Sequence, residues 1–273
     1  MVLLDLLHDK PHLRLVIAHL DHGIREDSKQ DREFVEAAAQ AYGLPFEYRE
    51  AQLGPAASEA AARAVRYNFL EDVRCRSKAQ GIITAHHQDD LIETALLNLI
   101  RGTGRRGLSS LRSTDTILRP LLGISKQQIK EYARDQNIQW REDSTNQDER
   151  YLRNFVRRQL VSRLSADQRQ QLTEQLLSAV AINQELDKLL LDALQAHLTV
   201  EGVERQWFIS LPHDVSTEIM ATWLRSAGIR AFDRKVIERL VIAAKTSLPG
   251  KRLDVMAGNE LHIGKYHLRL VVC

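Results

Sequence analysis

The chain has 273 residues, 38 Lys and Arg against 36 Asp and Glu, 44% apolar and 27% charged residues. That length favours two domains, or one large domain with an appendage, and the apolar fraction excludes a disordered chain. No run approaches the roughly 18–20 apolar residues that cross a bilayer. MVLLDLLHDKP is too short and lacks the basic leader of a signal peptide. Cys75 and Cys273 stand without a CxxC, which argues against a disulfide scaffold, a zinc ribbon or a cysteine-held cluster. The expectation is a reduced cytoplasmic protein with no membrane partner.

Met1–His8 carries helical apolar spacing and feeds directly into LRLVIAHL, Leu13–Leu20, a short aliphatic run that predicts a buried parallel strand. Ser28 opens a helix to about Tyr42, where Gly43 and Pro45 stop it, and Phe46–Arg49 predicts a second strand. Pro55–Gln80 is helical, with Val65, Phe69, Leu70 and Val73 on its apolar side. Gly81–Ala85 predicts another buried strand, followed by a helix from about Asp89 to Ile100. A possible strand at Thr116–Leu118 and an amphipathic helix at Ser125–Asn137 complete the series. Strands alternating with helices of this length predict an α/β fold, a doubly wound parallel sheet with helices on both faces.

Beyond Arg150 the pattern changes. Tyr151 to about Leu198 reads as nearly unbroken helix, then a strand at Gln206–Ser210, a helix after Pro212, another near Phe232–Ala244, and short antiparallel strands over Lys251–Val272. The division predicted is residues 1–150 as an α/β domain and residues 151–273 as a smaller, mostly helical one with short C-terminal strands.

The net charge of +2 hides two acid-free arginine clusters, Arg101, Arg105, Arg106 and Arg112, and five arginines within Arg150–Arg163. Arginine is shaped for bidentate phosphate contacts, so a polyanion partner competes with the plainer reading of solvated helix faces. The densest polar string is Thr84-Ala85-His86-His87-Gln88-Asp89-Asp90-Leu91-Ile92-Glu93-Thr94, at a predicted strand end and helix start, where doubly wound sheets bind ligands. Asp89, Asp90 and Glu93 could hold Mg²⁺ or grip an amine, His86 and His87 could move protons, and the plain alternative is a helix cap with surface histidines. A second polar turn, His19-Leu20-Asp21-His22-Gly23-Ile24-Arg25, is placed by the same alternation at the same sheet edge.

HLDHGIR, EAAARAVRYNFL, TAHHQDDLIETALLNLIRGTGRRGL, LRPLL and REDSTN followed by RNFVR occur in this order. Together they resemble the tRNA(Ile)-lysidine synthetases, within the PP-loop ATP pyrophosphatase superfamily. The resemblance is close over about residues 1–165 and looser to about 245. It implies an ATP-dependent ligase: ATP adenylates O2 of the wobble cytidine of a tRNA-Ile with a CAU anticodon, and the ε-amine of free L-lysine then attacks C2, releasing AMP. Catalysis falls by this resemblance to His86, His87, Asp89, Asp90 and Glu93, with Asp89 and Asp90 as candidate Mg²⁺ ligands. ATP binding falls to His19, Asp21, His22, Arg63 and Arg66, and tRNA backbone contacts to Arg101, Arg105, Arg106, Arg153 and Arg157. A homodimer is one assembly the resemblance allows. The family's phosphate loop, Ser-Gly-Gly-x-Asp-Ser, occurs nowhere in this sequence. The expectation drawn is that Met1 is an internal methionine, that the first central strand is missing with the loop, and that the C-terminal part is the shorter of the family's architectures.

Three rivals are distinguishable. A thiolating relative needs sulfur-carrying cysteines, a His/Asp metal phosphohydrolase needs divalent metal and no lysine, and a non-catalytic tRNA-binding remnant binds tRNA without ATP–pyrophosphate exchange.

Overall fold

Alternating helices and strands build the first part of the chain, as the periodicities predict. The computed structural model describes residues 1–23, 28–54, 58–141, 152–230, 232–256 and 258–272. Ile24 and Arg25 of the polar turn, residues 142–151 with most of the REDSTN string and Arg150, and Cys273 lie outside the described residues. The elements begin α1 (Val2–His8), β1 (Ile17–Asp21), α2 (Ser28–Ala41), β2 (Phe46–Glu50), α3 (Glu59–Arg76), β3 (Ile82–Ile83) and α4 (Gln88–Ile100). They continue with α5 (Arg105–Leu108), β4 (Ile117–Leu118), α6 (Lys126–Asp135), α7 (Leu152–Phe155) and the long α8 (Ala166–Ala196). The expected strand at Leu13–Leu20 forms only from Ile17 onward.

β1 pairs parallel with β2, Ile17 opposite Phe46, and β3 pairs parallel with β4, Ile82 opposite Ile117. Among the described residues these are two separate parallel pairs rather than one continuous sheet. Helix α3 packs against both β1 and β3, and its N-terminus is fixed by Ser58 Oγ, which accepts from the Ala61 amide at 3.2 Å. One core gathers Leu91, Ile92, Ala95 and Leu97 of α4 with Leu111, Leu122, Val156, Val161 and Leu176. A smaller cluster seats Val2 on Ala133 and Ile138, and Asp5 ties α1 down by accepting from the hydroxyls of Tyr42 at 3.0 Å and Tyr132 at 2.9 Å.

The chain divides into residues 1–180 and 181–273, later than the predicted 150/151. The physical reason is visible in the first core: Val156, Val161 and Leu176 bury against α4, so the arginine-rich segment belongs to the first unit. The predicted single helix from Tyr151 is broken there into α7, a π-helical turn at Val156–Leu160, a 3₁₀ turn at Val161–Arg163, and α8.

The second unit adds β5 (Leu198–Thr199), β6 (Gly202–Glu204), α9 (Arg205–Ser210), α10 (His213–Ser226), α11 (Arg234–Thr246), β7 (Arg252–Met256), β8 (Asn259–Ile263) and β9 (His267–Val271). Its strands form an antiparallel sheet in the order β5-β6-β9-β8-β7. In β8 the burial alternates, with Asn259, Leu261 and Ile263 inward, as one-sided sheets require. The sheet packs into a core with Phe208, Ile219, Met220, Leu224, Leu240 and Val241. Gln206–Ser210, predicted as a strand, is helix α9: its aromatic and β-branched residues suit a strand locally, yet burial of Arg205 and Phe208, three positions apart, selects the helical period. No helix among the described residues is long and apolar enough to cross a membrane.

Candidate active site

The polar string at the end of β3 is locked to its neighbours through the backbone. The Thr84 amide donates to Leu118 O at 2.9 Å and the Gln88 amide to Ile124 O at 3.0 Å. This leaves His86 and His87 in the bend and starts α4 at Gln88. Asp90 Oδ2 accepts the His87 amide at 3.0 Å, capping the helix whose positive end also favours Asp89. His87 Nδ1 lies 3.6 Å from the same Asp90 oxygen, and Asp89 Oδ1 lies 3.6 Å from Arg169 of α8.

Glu93, one turn further, is fully buried, and both its oxygens are taken. Arg157 donates Nε to Oε1 at 2.6 Å and Nη2 to Oε2 at 3.0 Å, and Arg153 donates Nε to Oε2 at 3.3 Å. Arg153 also reaches Thr94 Oγ1 at 3.5 Å. The hydrogen bonds to Glu93 push the Arg157 pKa above its ordinary value, against the effect of burial.

His86 is a different environment. Burial lowers its pKa to about 4; Asp90 opposes that shift, while Arg119, Arg63 and Arg153 reinforce it. Its Nδ1 lies 2.8 Å from Thr84 Oγ1. Arg119 is itself buried, donates to Arg112 O and, at 3.2 Å, to the Tyr67 hydroxyl. Arg63 of α3 stacks over the Tyr67 ring at 4.7 Å.

The second polar turn lies where β1 ends. Asp21 is buried and Oδ1 accepts the Gly23 amide at 2.8 Å. Gly23 sits at φ +65° with Ala51 O only 3.1 Å from where a Cβ would stand, so glycine is required there. His19 stacks on Tyr48 with ring centroids 6.2 Å apart. His22 Nε2 meets Arg66 of α3, Nε at 3.3 Å and Nη2 at 3.0 Å. Helix α3 thus serves both turns, Arg66 the first and Arg63 with Tyr67 the second.

The structure therefore gathers His86, His87, Asp89, Asp90, Glu93, Arg63, Arg153 and Arg157. Arg153 and Arg157, expected on tRNA backbone, are hydrogen-bonded to Glu93. Arg101 ends α4, about 20 Å along that helix from Gln88 at 1.5 Å per helical residue, and Arg105 and Arg106 lie on α5, which packs back on α4. Sequence reasoning assigned no role to Thr84, Tyr67, Arg119 or Arg169. Thr84 and Arg119 stand inside the strings TAHH and LRPLL, whereas nothing near Arg169 marks it.

A family model described as a PP-loop domain matches residues 1–164. A tRNA(Ile)-lysidine synthase of Solibacter usitatus is 31% identical over 278 residues, 94% of this chain and 63% of that protein. One from Lactiplantibacillus plantarum is 33% identical over 284 residues, 96% of this chain and 62% of that protein. One from Thermus thermophilus is 41% identical over 163 residues, 57% of this chain and 32% of that protein. The chain spans just over three fifths of the length of the first two relatives.

Proposed function

The chain belongs to the PP-loop domain family, and from that premise we propose that it acts in ATP-dependent ligation of lysine to C2 of the wobble cytidine, C34, of tRNA-Ile with a CAU anticodon. ATP adenylates O2 with release of pyrophosphate, and the lysine ε-amine displaces AMP to give lysidine. The observation that carries this reading is the meeting, at the start of α4, of Asp90 with His86 and the guanidinium groups of Arg63, Arg119 and Arg153, with Asp89 beside Asp90 in the first turn. Carboxylates there suit an ammonium, and guanidiniums suit phosphoryl oxygens; joining an amine to an adenylated base needs both. The names of the relatives point to the same chemistry.

Asp90, backed by Asp89, takes the lysine ammonium, and the Asp90–His87 pair takes the proton the amine sheds before attack. Glu93 anchors Arg153 and Arg157 rather than meeting lysine. Asp21, His22 and Arg66, with His19 on the adjoining strand, form the nucleotide turn. Arg101, Arg105 and Arg106 contact tRNA backbone at the far end of α4. In the second unit, a cavity of about 830 Å³ whose lining includes Arg234, Lys235, Arg239 and Lys251 offers further phosphate contacts. A cytoplasmic location follows from a tRNA substrate.

Mg²⁺ is assigned differently. Successive residues in a helix point about 100° apart, and Asp89 faces Arg169 while Asp90 caps α4. No cluster of three metal-binding side chains occurs among the described residues. The aspartate pair does not fit a shared ion, and no step is routed through Mg²⁺.

The test is incorporation of labelled lysine into tRNA-Ile(CAU), with ATP–pyrophosphate exchange measured in parallel. Expected are ATP-dependent incorporation and its loss when C34 is replaced. Tight tRNA binding with neither exchange nor incorporation would establish a non-catalytic tRNA-binding protein instead.

A further inference from the structure

Thr84 occupies a fixed point: its amide is bonded to Leu118 O at 2.9 Å, and its hydroxyl lies 2.8 Å from His86 Nδ1. The charges acting on His86 come from each neighbouring element, Asp90 from α4, Arg63 from α3, Arg153 from α7 and Arg119 from just beyond β4. An imidazole kept uncharged in that setting is a poor base for an ammonium of ordinary pKa, about 10.4. Hydrogen bonding is the use left to it, as for other histidines held neutral in cationic surroundings. Asp90 is the charge that acts on the ring most strongly, and Thr84 already occupies Nδ1, so a proton on Nε2 leaves Nδ1 as an acceptor. The hydroxyl of Thr84 can then donate to Nδ1. A second observation is independent of the ring: Arg119, one of the cations that act on His86, keeps Nε buried with no hydrogen-bond partner among the described residues, a donor open to an anion.

We propose that Thr84 is a positioning residue whose hydroxyl donates to His86 Nδ1, so that the neutral ring presents Nε2–H, together with Arg63, Arg119 and Arg153, to a phosphoryl oxygen of the nucleotide. The nucleotide as source of that oxygen rests on the functional reading above; the tautomer lock does not.

Two-bond ¹H–¹⁵N spectra of the full chain labelled at histidine nitrogens read the tautomer directly, without any activity. The wild type is expected to show His86 as the Nε2–H tautomer at pH 7. Thr84→Ser is expected to keep that signature. Thr84→Val is expected to lose it and to bind AMP roughly two- to tenfold more weakly, the worth of one hydrogen bond. AMP shifts the His86 Nε2 signal, whereas a single-stranded RNA oligomer lacking a free nucleotide does not. An Nδ1–H tautomer or an imidazolium at pH 7 in the wild type overturns the lock, and that measurement decides even if Thr84→Val does not fold. An unchanged tautomer in folded Thr84→Val overturns it too. No response to AMP, or a response to the RNA in its place, overturns the nucleotide subsite. Absence of lysine incorporation with the signature intact refutes the ligase reading and leaves the lock standing.

Discussion

Glu93 lies fully buried between two guanidinium groups. An uncharged amide there leaves Arg153 and Arg157 without the carboxylate that holds them. Glu93→Gln is therefore expected to destabilise the first unit by roughly 3 kcal/mol, the low end for a broken buried pair because both arginines are partly exposed; a denaturant titration reads this. A loss under about 0.5 kcal/mol, the scatter of surface substitutions, would mean the clamp is not structural. His86 gives a pH signature of fixed sign. Its folded pKa, about 4, lies below the ordinary 6.5, so the unfolded chain binds the extra proton first. Stability is full above about pH 6.5 and falls as the pH drops toward about 4, by at most about 3 kcal/mol, and less because the ring is not fully buried. Subtracting the thermal-melt profile of His86→Gln from that of the wild type should isolate this slope; parallel profiles would remove it. The string from Thr84 to Thr94 was readable because its groups are contiguous. The pairing of Glu93 with arginines 60 and 64 positions away was not, since charge clusters in a sequence carry no direction.

Among the elements, α9 shows what local propensity misses. Arg205, at its first position, is buried and donates to three backbone carbonyls, Ala244 at 3.1 Å, Gly264 at 3.0 Å and Ser247 at 2.5 Å. It thereby ties α9 to the end of α11 and to the β8–β9 turn. Arg205→Met keeps the apolar stem and strands those carbonyls, so a loss of roughly 2–4 kcal/mol is expected on thermal or chemical unfolding. Gly202 performs a comparable task in β6. At φ +123°, a Cβ there would overlap Leu268 O, against backbone that cannot yield. Gly202→Ala should cost more than about 2 kcal/mol and deprotect the β6–β9 amides in hydrogen exchange. Protection equal to wild type would contradict the pairing of Val203 with Leu268. Neither role is legible from the sequence, because an isolated arginine or glycine looks the same in a loop.

For the whole molecule, the proposed tRNA contacts make a salt-dependent prediction. Replacing Arg101, Arg105 and Arg106 together by Gln should lower the slope of log affinity against log salt by roughly 2–3, about 0.7–0.9 for each phosphate that no longer meets a guanidinium. The Glu93 clamp should be untouched, because these residues sit at the other end of α4. An unchanged slope would move the tRNA surface elsewhere, with the cationic groove beside α11 as the next candidate.

Legible in the residues alone were the alternation of helix and strand in the first unit, the strand-to-helix turn that carries His86 to Glu93, and the family. These depend on short-range spacing, on caps such as Ser58 and on contiguous motifs. Contacts between distant residues settled that the segment after residue 150 packs into the first unit and that Arg153 and Arg157 close on Glu93. They also decided that the four strands pair as β1–β2 and β3–β4, and that Gln206–Ser210 is helical. Each outcome turns on which groups lose water together, a property of partners distant in the chain that no local pattern encodes.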